Sequence, residues 1–191
     1  MEDTLFIERL RKGDSMAYSR LVQQFQARVF NTCLNFVFDR TEAEDLTQEV
    51  FLEVYRSIGA FEERSSLSTW IYRISVTKSL ELIRSKSRKK RAGMLLSIFG
   101  LQEKGWDVRG HVVDHPGFQL ENQERAQRLH AALHSLPENQ RVAFTMHKLD
   151  GHRYEEVAEI MGISLASVES LIFRARKNLQ KTLEKFYQDE G

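Results

Sequence analysis

The stretch at 154–176, YEEVAEIMGISLASVESLIFRAR, limits the fold more than any other part of this chain. It predicts two short helices joined at a glycine. Val157, Ala158, Ile160 and Met161 are the apolar positions of the first. Gly162 supplies the turn, where a positive φ is tolerated. Ser164 is placed to cap the second helix, whose apolar positions Leu165, Val168, Ile172, Ala175 and Leu179 advance by three and four. The opposite face carries Ser164, Ser167, Ser170, Arg174 and Lys177. Small donors beside two cations suit a helix lying in a DNA groove. The unit reads as a helix-turn-helix; the alternative is an ordinary C-terminal helical hairpin.

The rest of the chain is compatible with such a module. Helix formers dominate and only two prolines occur in 191 residues, which predicts an all-α fold. A net charge of +1 is modest for a nucleic-acid binder, so any basic surface must be local. The single cysteine, Cys33, excludes an internal disulfide and fits a reducing compartment. No secretory leader and no apolar run of ~18 residues is present, so a cytoplasmic protein without membrane insertion is expected.

Three zones follow. Residues 1–92 form a run of amphipathic helices. Asp14 or Ser15 can start the helix whose stripe is Tyr18, Leu21, Val22, Phe25, Val29, Cys33, Phe36 and Val37, which makes Cys33 a buried core thiol. Thr41-Glu42-Ala43-Glu44 fits a capping box, and Gly59 ends the helix it opens. Residues 93–120, broken by Gly93, Gly100, Gly105, Gly110, Pro116 and Gly117, read as a linker, with Met94, Leu95, Leu96, Ile98 and Phe99 apolar enough to dock. Residues 121–187 are helical again, with Pro137 in a helix first turn.

Three features stand out. Asp45, Glu49, Leu52 and Arg56 share one side of a helix, with Gln48 beside them. This is either a docking face for a basic partner or a solvated helix face. Trp70, Arg73, Thr77 and Arg84 lie near one face of the next long helix, preceded by a polar loop at 61–66 containing Phe61, Arg64 and Ser65. Aromatic rings beside cations suit unstacked bases, yet Trp70 and Tyr72 equally suit a core. The helix ends in Arg84, Lys86, Arg88, Lys89, Lys90 and Arg91, either a solubilising helix end that complements the macrodipole or a footprint for phosphate, which the adjoining aromatic face favours. Finally, His130 and His134, and His111 and His115 beside Asp114, are spaced by four. Neither pair has a third ligand of the right kind nearby, so no metal or other cofactor is expected, and surface histidines are. Phosphate loops, nucleophile elbows and paired-histidine protease signatures are absent, so no enzyme is expected.

Three motifs then occur in a fixed order: Ala43-Glu44-Asp45-Leu46-Thr47-Gln48-Glu49-Val50-Phe51; Ser68-Thr69-Trp70-Ile71-Tyr72-Arg73-Ile74; and Leu136-Pro137-Glu138-Asn139-Gln140-Arg141 leading into Tyr154-Glu155-Glu156-Val157-Ala158. Together they resemble the extracytoplasmic-function (ECF) class of bacterial alternative sigma factors. The resemblance implies that 1–92 is sigma domain two and 121–187 sigma domain four, joined by a flexible linker at 93–120. It implies that Asp45, Gln48, Glu49 and Leu52 dock on core RNA polymerase. Phe61, Arg64, Ser65, Trp70, Tyr72, Arg73 and Thr77 would recognise the melted minus-ten element. Ser164, Ser167, Ser170, Leu171, Arg174 and Lys177 would read the duplex minus-thirty-five element. A stress or envelope signal and an anti-sigma factor are also implied. The chain departs from the common pattern at Glu169 and Leu171, where cations are usual, and at Thr77 and Glu81, where asparagine and aspartate are common. Leu171 is then expected to touch a thymine methyl. An ordinary regulator with the same helix-turn-helix is the competing reading; it predicts tight duplex binding without polymerase.

Overall fold

The computed structural model describes residues 2–98 and 120–188. Among them the chain is helical throughout, with no strand: α1 (Glu2–Arg11), α2 (Ser15–Val37), α3 (Arg40–Ser57), a single 3-10 turn (Ile58–Ala60), α4 (Leu67–Ile98), α5 (Leu120–Ser135), α6 (Glu138–Lys148), α7 (Tyr154–Met161) and α8 (Leu165–Gln188).

Local chemistry sets the boundaries. Asp14 opens α2, its carboxylate accepting from the N–H groups of Met16 (2.9 Å) and Ala17 (3.1 Å). Phe38 closes α2 in the left-handed region at φ 55° and returns its N–H to the Leu34 carbonyl. The cap of α3 is Asp39, which accepts from Glu42 N–H at 2.9 Å. Thr41 therefore lies inside the helix, and the capping pattern expected at Thr41-x-x-Glu44 sits two residues earlier. The reason is that the left-handed turn at Phe38 delivers the Asp39 carboxylate straight onto the first free donors. Helix α4 continues through Gly93 to Ile98, past the boundary expected at 92. The proposed linker apart from its helical ends, with His111, Asp114 and His115, lies outside the described residues, as do the side chains of Lys90 and Arg91.

The helix-turn-helix forms as its sequence requires. Gly162 adopts φ +67°, and its N–H reaches the Ala158 and Glu159 carbonyls while Ile163 N–H returns to Ala158 at 3.1 Å. Ser164 then starts α8 by accepting from Ser167 N–H at 3.2 Å. A Cβ at Gly162 would meet nothing within 4 Å. Gly162→Ala should accordingly cost only the strain of a left-handed alanine, about 1 kcal/mol. Equilibrium urea unfolding checks this, and a loss several times larger would mean the turn had rearranged.

Three apolar clusters hold the helices together. The first joins α1, α2, α3 and the start of α4 around Leu21, Val29, Val50, Val54 and Ile71. Cys33 lies fully inside it as a free thiol, which burial pushes up to about 11. The second cluster takes the other side of α4, with Tyr72, Val76, Leu80 and Ile83, and packs it on Val142, Met146, Val157, Ile160, Val168 and Ile172 of α6, α7 and α8. The third joins α5, α6 and α8 through Leu133, Leu136, Ala175 and Leu179, with Phe38 at its edge. Helix α4 is thus sandwiched: the N-terminal helices cover one side and the helix-turn-helix unit the other. The contact is also polar. Asn35 Nδ2 donates to Asp150 Oδ1 at 2.6 Å, and the Tyr72 and His152 rings meet edge to face at 4.6 Å.

The histidines expected at the surface sit at this junction. His130 lies against Phe38 (ring centroids 4.7 Å) and against His134 (4.2 Å). The Nε2 atoms of both are buried without a hydrogen-bond partner. Among the described residues no group of three or more histidines, cysteines or carboxylates is placed to hold a metal. Burial, with Lys86 and Arg141 nearby, lowers the pKa of His130 below 6.5 and that of His134 to about 4. Because the folded pKa is depressed, the neutral rings favour the fold fully above about pH 6.5, and this contribution is lost as pH falls toward the folded values. Buried Asp150, whose pKa burial raises, works in the opposite sense. The melting temperature should fall between pH 6.5 and 5, and His134→Gln should flatten that fall. An unchanged slope in the variant would remove the imidazole from the account.

Candidate nucleic-acid interface

Two exposed faces emerge. On α3 the inward positions Ala43, Leu46, Val50 and Val54 are buried, which turns Asp45, Gln48, Glu49 and Leu52 outward together. All four are exposed, Leu52 at 53%. Tyr55, also 53% exposed, extends the same face and packs its ring edgewise on Tyr18 at 5.2 Å. Two carboxylates flanked by a leucine and a tyrosine make an acidic surface with an apolar centre. Tyr55 escaped sequence reasoning, although it follows Leu52 by three and stands off the buried stripe.

On α8, burial of Val168, Ile172, Ala175 and Leu179 leaves the opposite side to solvent. Ser164, Ser167, Arg174 and Lys177 are exposed and Ser170 is half-buried. Arg174 is pre-oriented: its Nε and Nη2 both donate to Ser170 Oγ, at 3.1 and 2.6 Å. Ser164 and Ser167 share a hydroxyl–hydroxyl bond of 2.8 Å. Leu171 behaves differently from the expectation of an outward thymine contact. It is half-buried and packs on the second cluster. The large apolar side chain on this face is Phe173, 69% exposed and flanked along the helix by Ser170 and Lys177. Its position outside the three-and-four stripe was the signal for it.

The residues expected around the melted strand are divided. Phe61 is buried at 4% exposure, stacked near Trp70 with ring centroids 5.0 Å apart, while its carbonyl accepts from Arg11. It is a core residue that shapes the loop. Trp70 is half-buried on the first cluster. Arg64 is exposed and paired with Glu62 at 2.8 Å; Ser65 is half-buried and Thr77 exposed. Tyr72 points away from Trp70 into the second cluster, 9% exposed. Arg73 donates from Nε to the Ile160 carbonyl at 3.0 Å and from Nη2 to the Glu159 carbonyl. It therefore neutralises the C-terminal end of α7, where the helix dipole is negative. In the basic stretch, Arg84 is held by Glu138 and Lys86 by Glu42.

The comparisons with known proteins agree along the chain. Residues 21–89, within α2–α4, match the Sigma-70 region 2 family, and residues 126–179, within α5–α8, match Sigma-70, region 4. An ECF RNA polymerase sigma-E factor of Haemophilus influenzae is 31% identical over 186 residues, 96% of each chain. The RNA polymerase sigma-H factor of Pseudomonas aeruginosa is 29% identical over 195 residues, covering 98% of this chain and 97% of its own. Among solved structures, CnrH in complex with the cytosolic domain of CnrY aligns with a TM-score of 0.65 at 19% identity, over 96% of this chain and 97% of its own. The sigma factor RpoE in complex with the anti-sigma factor NepR, from Bartonella quintana, aligns at 0.59 with 22% identity, over 87% and 96%. At those identities the structural likeness concerns the fold.

Proposed function

The chain belongs to the ECF class of the sigma-70 family, and from that premise we propose how its two exposed faces divide the work of an alternative sigma factor that binds core RNA polymerase and directs promoter-specific initiation. The α3 face, with Asp45, Gln48, Glu49 and Leu52 joined by Tyr55, docks on the polymerase. Complementary charge there steers and registers association. The α8 face, with Ser164, Ser167, Ser170, Arg174 and Lys177 joined by Phe173, enters the major groove of the minus-thirty-five element. Arg174 supplies the base or phosphate contact, and Phe173 takes the apolar role once expected of Leu171. Domain two spans 1–92, the linker 93–120 and domain four 121–187. The protein acts in the cytoplasm, performs no chemistry of its own, and answers a stress signal through an anti-sigma partner. Among the described residues no helix is long and apolar enough to cross a membrane.

The observation that carries this reading is the exposure of both faces on one chain whose two halves match the two sigma regions. The packing of α4 on α7 adds a requirement. With Tyr72 buried and Arg73 committed to carbonyls of α7, these two reach the minus-ten strand only after the halves part. Trp70, Arg64, Ser65 and Thr77 need no such rearrangement, and Phe61 supports the loop from beneath. Flipping a base onto this surface costs a few kcal/mol, which stacking and polymerase contacts must offset. The linker lets two weak DNA sites raise each other's effective concentration.

Transcription with purified core polymerase, on a template carrying the region upstream of this gene, is the test. A promoter-specific transcript that appears only when the protein is added is the expected result. Tight, site-specific duplex binding by the protein alone at physiological salt, with no recovery of polymerase, would favour the regulator instead.

A further inference from the structure

Where α4 meets α5 and α6, a cleft of about 450 Å³ opens between the two halves of the molecule. Its lining includes Arg84, Arg88, His134 and Arg141, with Ser87 and Glu81. That volume falls in the range of small-molecule sites, roughly 300–1,000 Å³.

The charge in it is poorly balanced. Arg141 is only 7% exposed, and its Nε is buried without a hydrogen-bond partner. A buried guanidinium donor in that condition is costly unless something accepts from it. His134 Nε2 is likewise buried and unpartnered. The carboxylates at hand are already engaged. Glu138 takes Arg84 in a two-pronged pair, with Nε at 2.8 Å, and also faces Arg141. Glu81 is exposed and lies 4.0 Å from Lys78 Nζ. Arg88 adds an exposed guanidinium at the edge of the cleft. A planar donor fork of this kind matches the oxygens of a phosphate.

We infer that this cleft binds a phosphorylated small molecule of nucleotide size, its phosphate lying between Arg88 and Arg141, within reach of both halves of the chain. A ligand touching α4 and α6 at once stabilises the packed arrangement of the two halves. It therefore opposes the parting that frees Tyr72 and Arg73.

The probe is sodium pyrophosphate, titrated into the full-length protein by calorimetry and thermal melting, with ionic strength held constant by sodium chloride. A saturable heat and a saturable rise in melting temperature are expected. Arg88→Ala, an exposed change, should weaken binding about tenfold or more, and Arg141→Gln should abolish it. Glu81→Gln should tighten binding, a gain that misfolding cannot mimic. No saturation, or equal affinity in the wild type and Arg88→Ala, would overturn the inference. So would displacement of pyrophosphate by short duplex DNA that depends on the same two arginines, because the cleft would then be a seat for nucleic-acid backbone.

Discussion

Replacing Asp45 and Glu49 together by alanine should abolish most of the binding to core RNA polymerase while leaving the fold untouched. Both carboxylates are exposed on the outer side of α3, away from the Ala43–Leu46–Val50–Val54 stripe that anchors the helix. Alanine is the best helix former, so the helix content measured by circular dichroism should not fall. The loss is expected in the association itself. Removing two charges that meet a complementary surface costs about 2–5 kcal/mol, on the order of thirtyfold or more in Kd. Pull-down or surface binding with purified polymerase reads it directly. Binding should also weaken with added salt in the wild type and much less in the variant, because the charges that salt screens are gone. A double variant that melts early, or that binds polymerase as the wild type does, would remove this face from the docking surface.

Arg174→Ala is the second large effect, and it should appear in a different assay. The guanidinium is exposed, poised on α8 by two bonds to Ser170 Oγ, and takes no part in any of the three apolar clusters. Its removal should leave polymerase binding intact and lower promoter-specific transcription by about 1–3 kcal/mol, or roughly 5- to 150-fold. The form of the loss identifies the contact. A phosphate contact costs about the same on every promoter and reduces the salt dependence, whereas a base contact relaxes discrimination at one position. Phe173→Ala should follow Arg174→Ala in direction, since the ring is exposed on the same face and supports no core. Loss of polymerase binding and promoter choice in equal measure would mean that the protein had unfolded.

Much of this was legible in the chain because it is local. A helix of 3.6 residues per turn decides by itself which side chains share a face. The stripe from Val168 to Leu179 is buried and Arg174 and Lys177 face water, as the spacing required. Gly162 takes the positive φ for which a glycine was needed, and Cys33 is in the core. The same periodicity turned Asp45 and Glu49 outward. Leu171, expected to face outward, packs on the core instead, and Phe173, to which no role was given, stands exposed, because a helix face has an edge. Half a turn of rotation about the stripe is enough to place one on the core and the other in solvent.

Local pattern set where the helices lie and most of the surfaces they present, since each depends on residues within a turn or two of one another. Of the ends, Asp14 and the Gly162–Ser164 turn fell as expected, whereas α3 is capped by Asp39 and stops at Ser57 short of Gly59, and Pro137 caps α6 from outside its first turn. The fate of the second side of α4 was settled by long-range packing. The bonds from Arg73 to α7 and the Asn35–Asp150 pair join residues 86 to 115 positions apart, and the same packing buries Tyr72. An aromatic beside an arginine reads alike whether it awaits a nucleic-acid base or another helix of its own chain. The same long-range packing brings His134 and Arg141 against Arg84 and Arg88 and so creates the cleft. No local pattern encodes such a meeting, because what drives it is the removal of apolar surface from water when two amphipathic faces find each other.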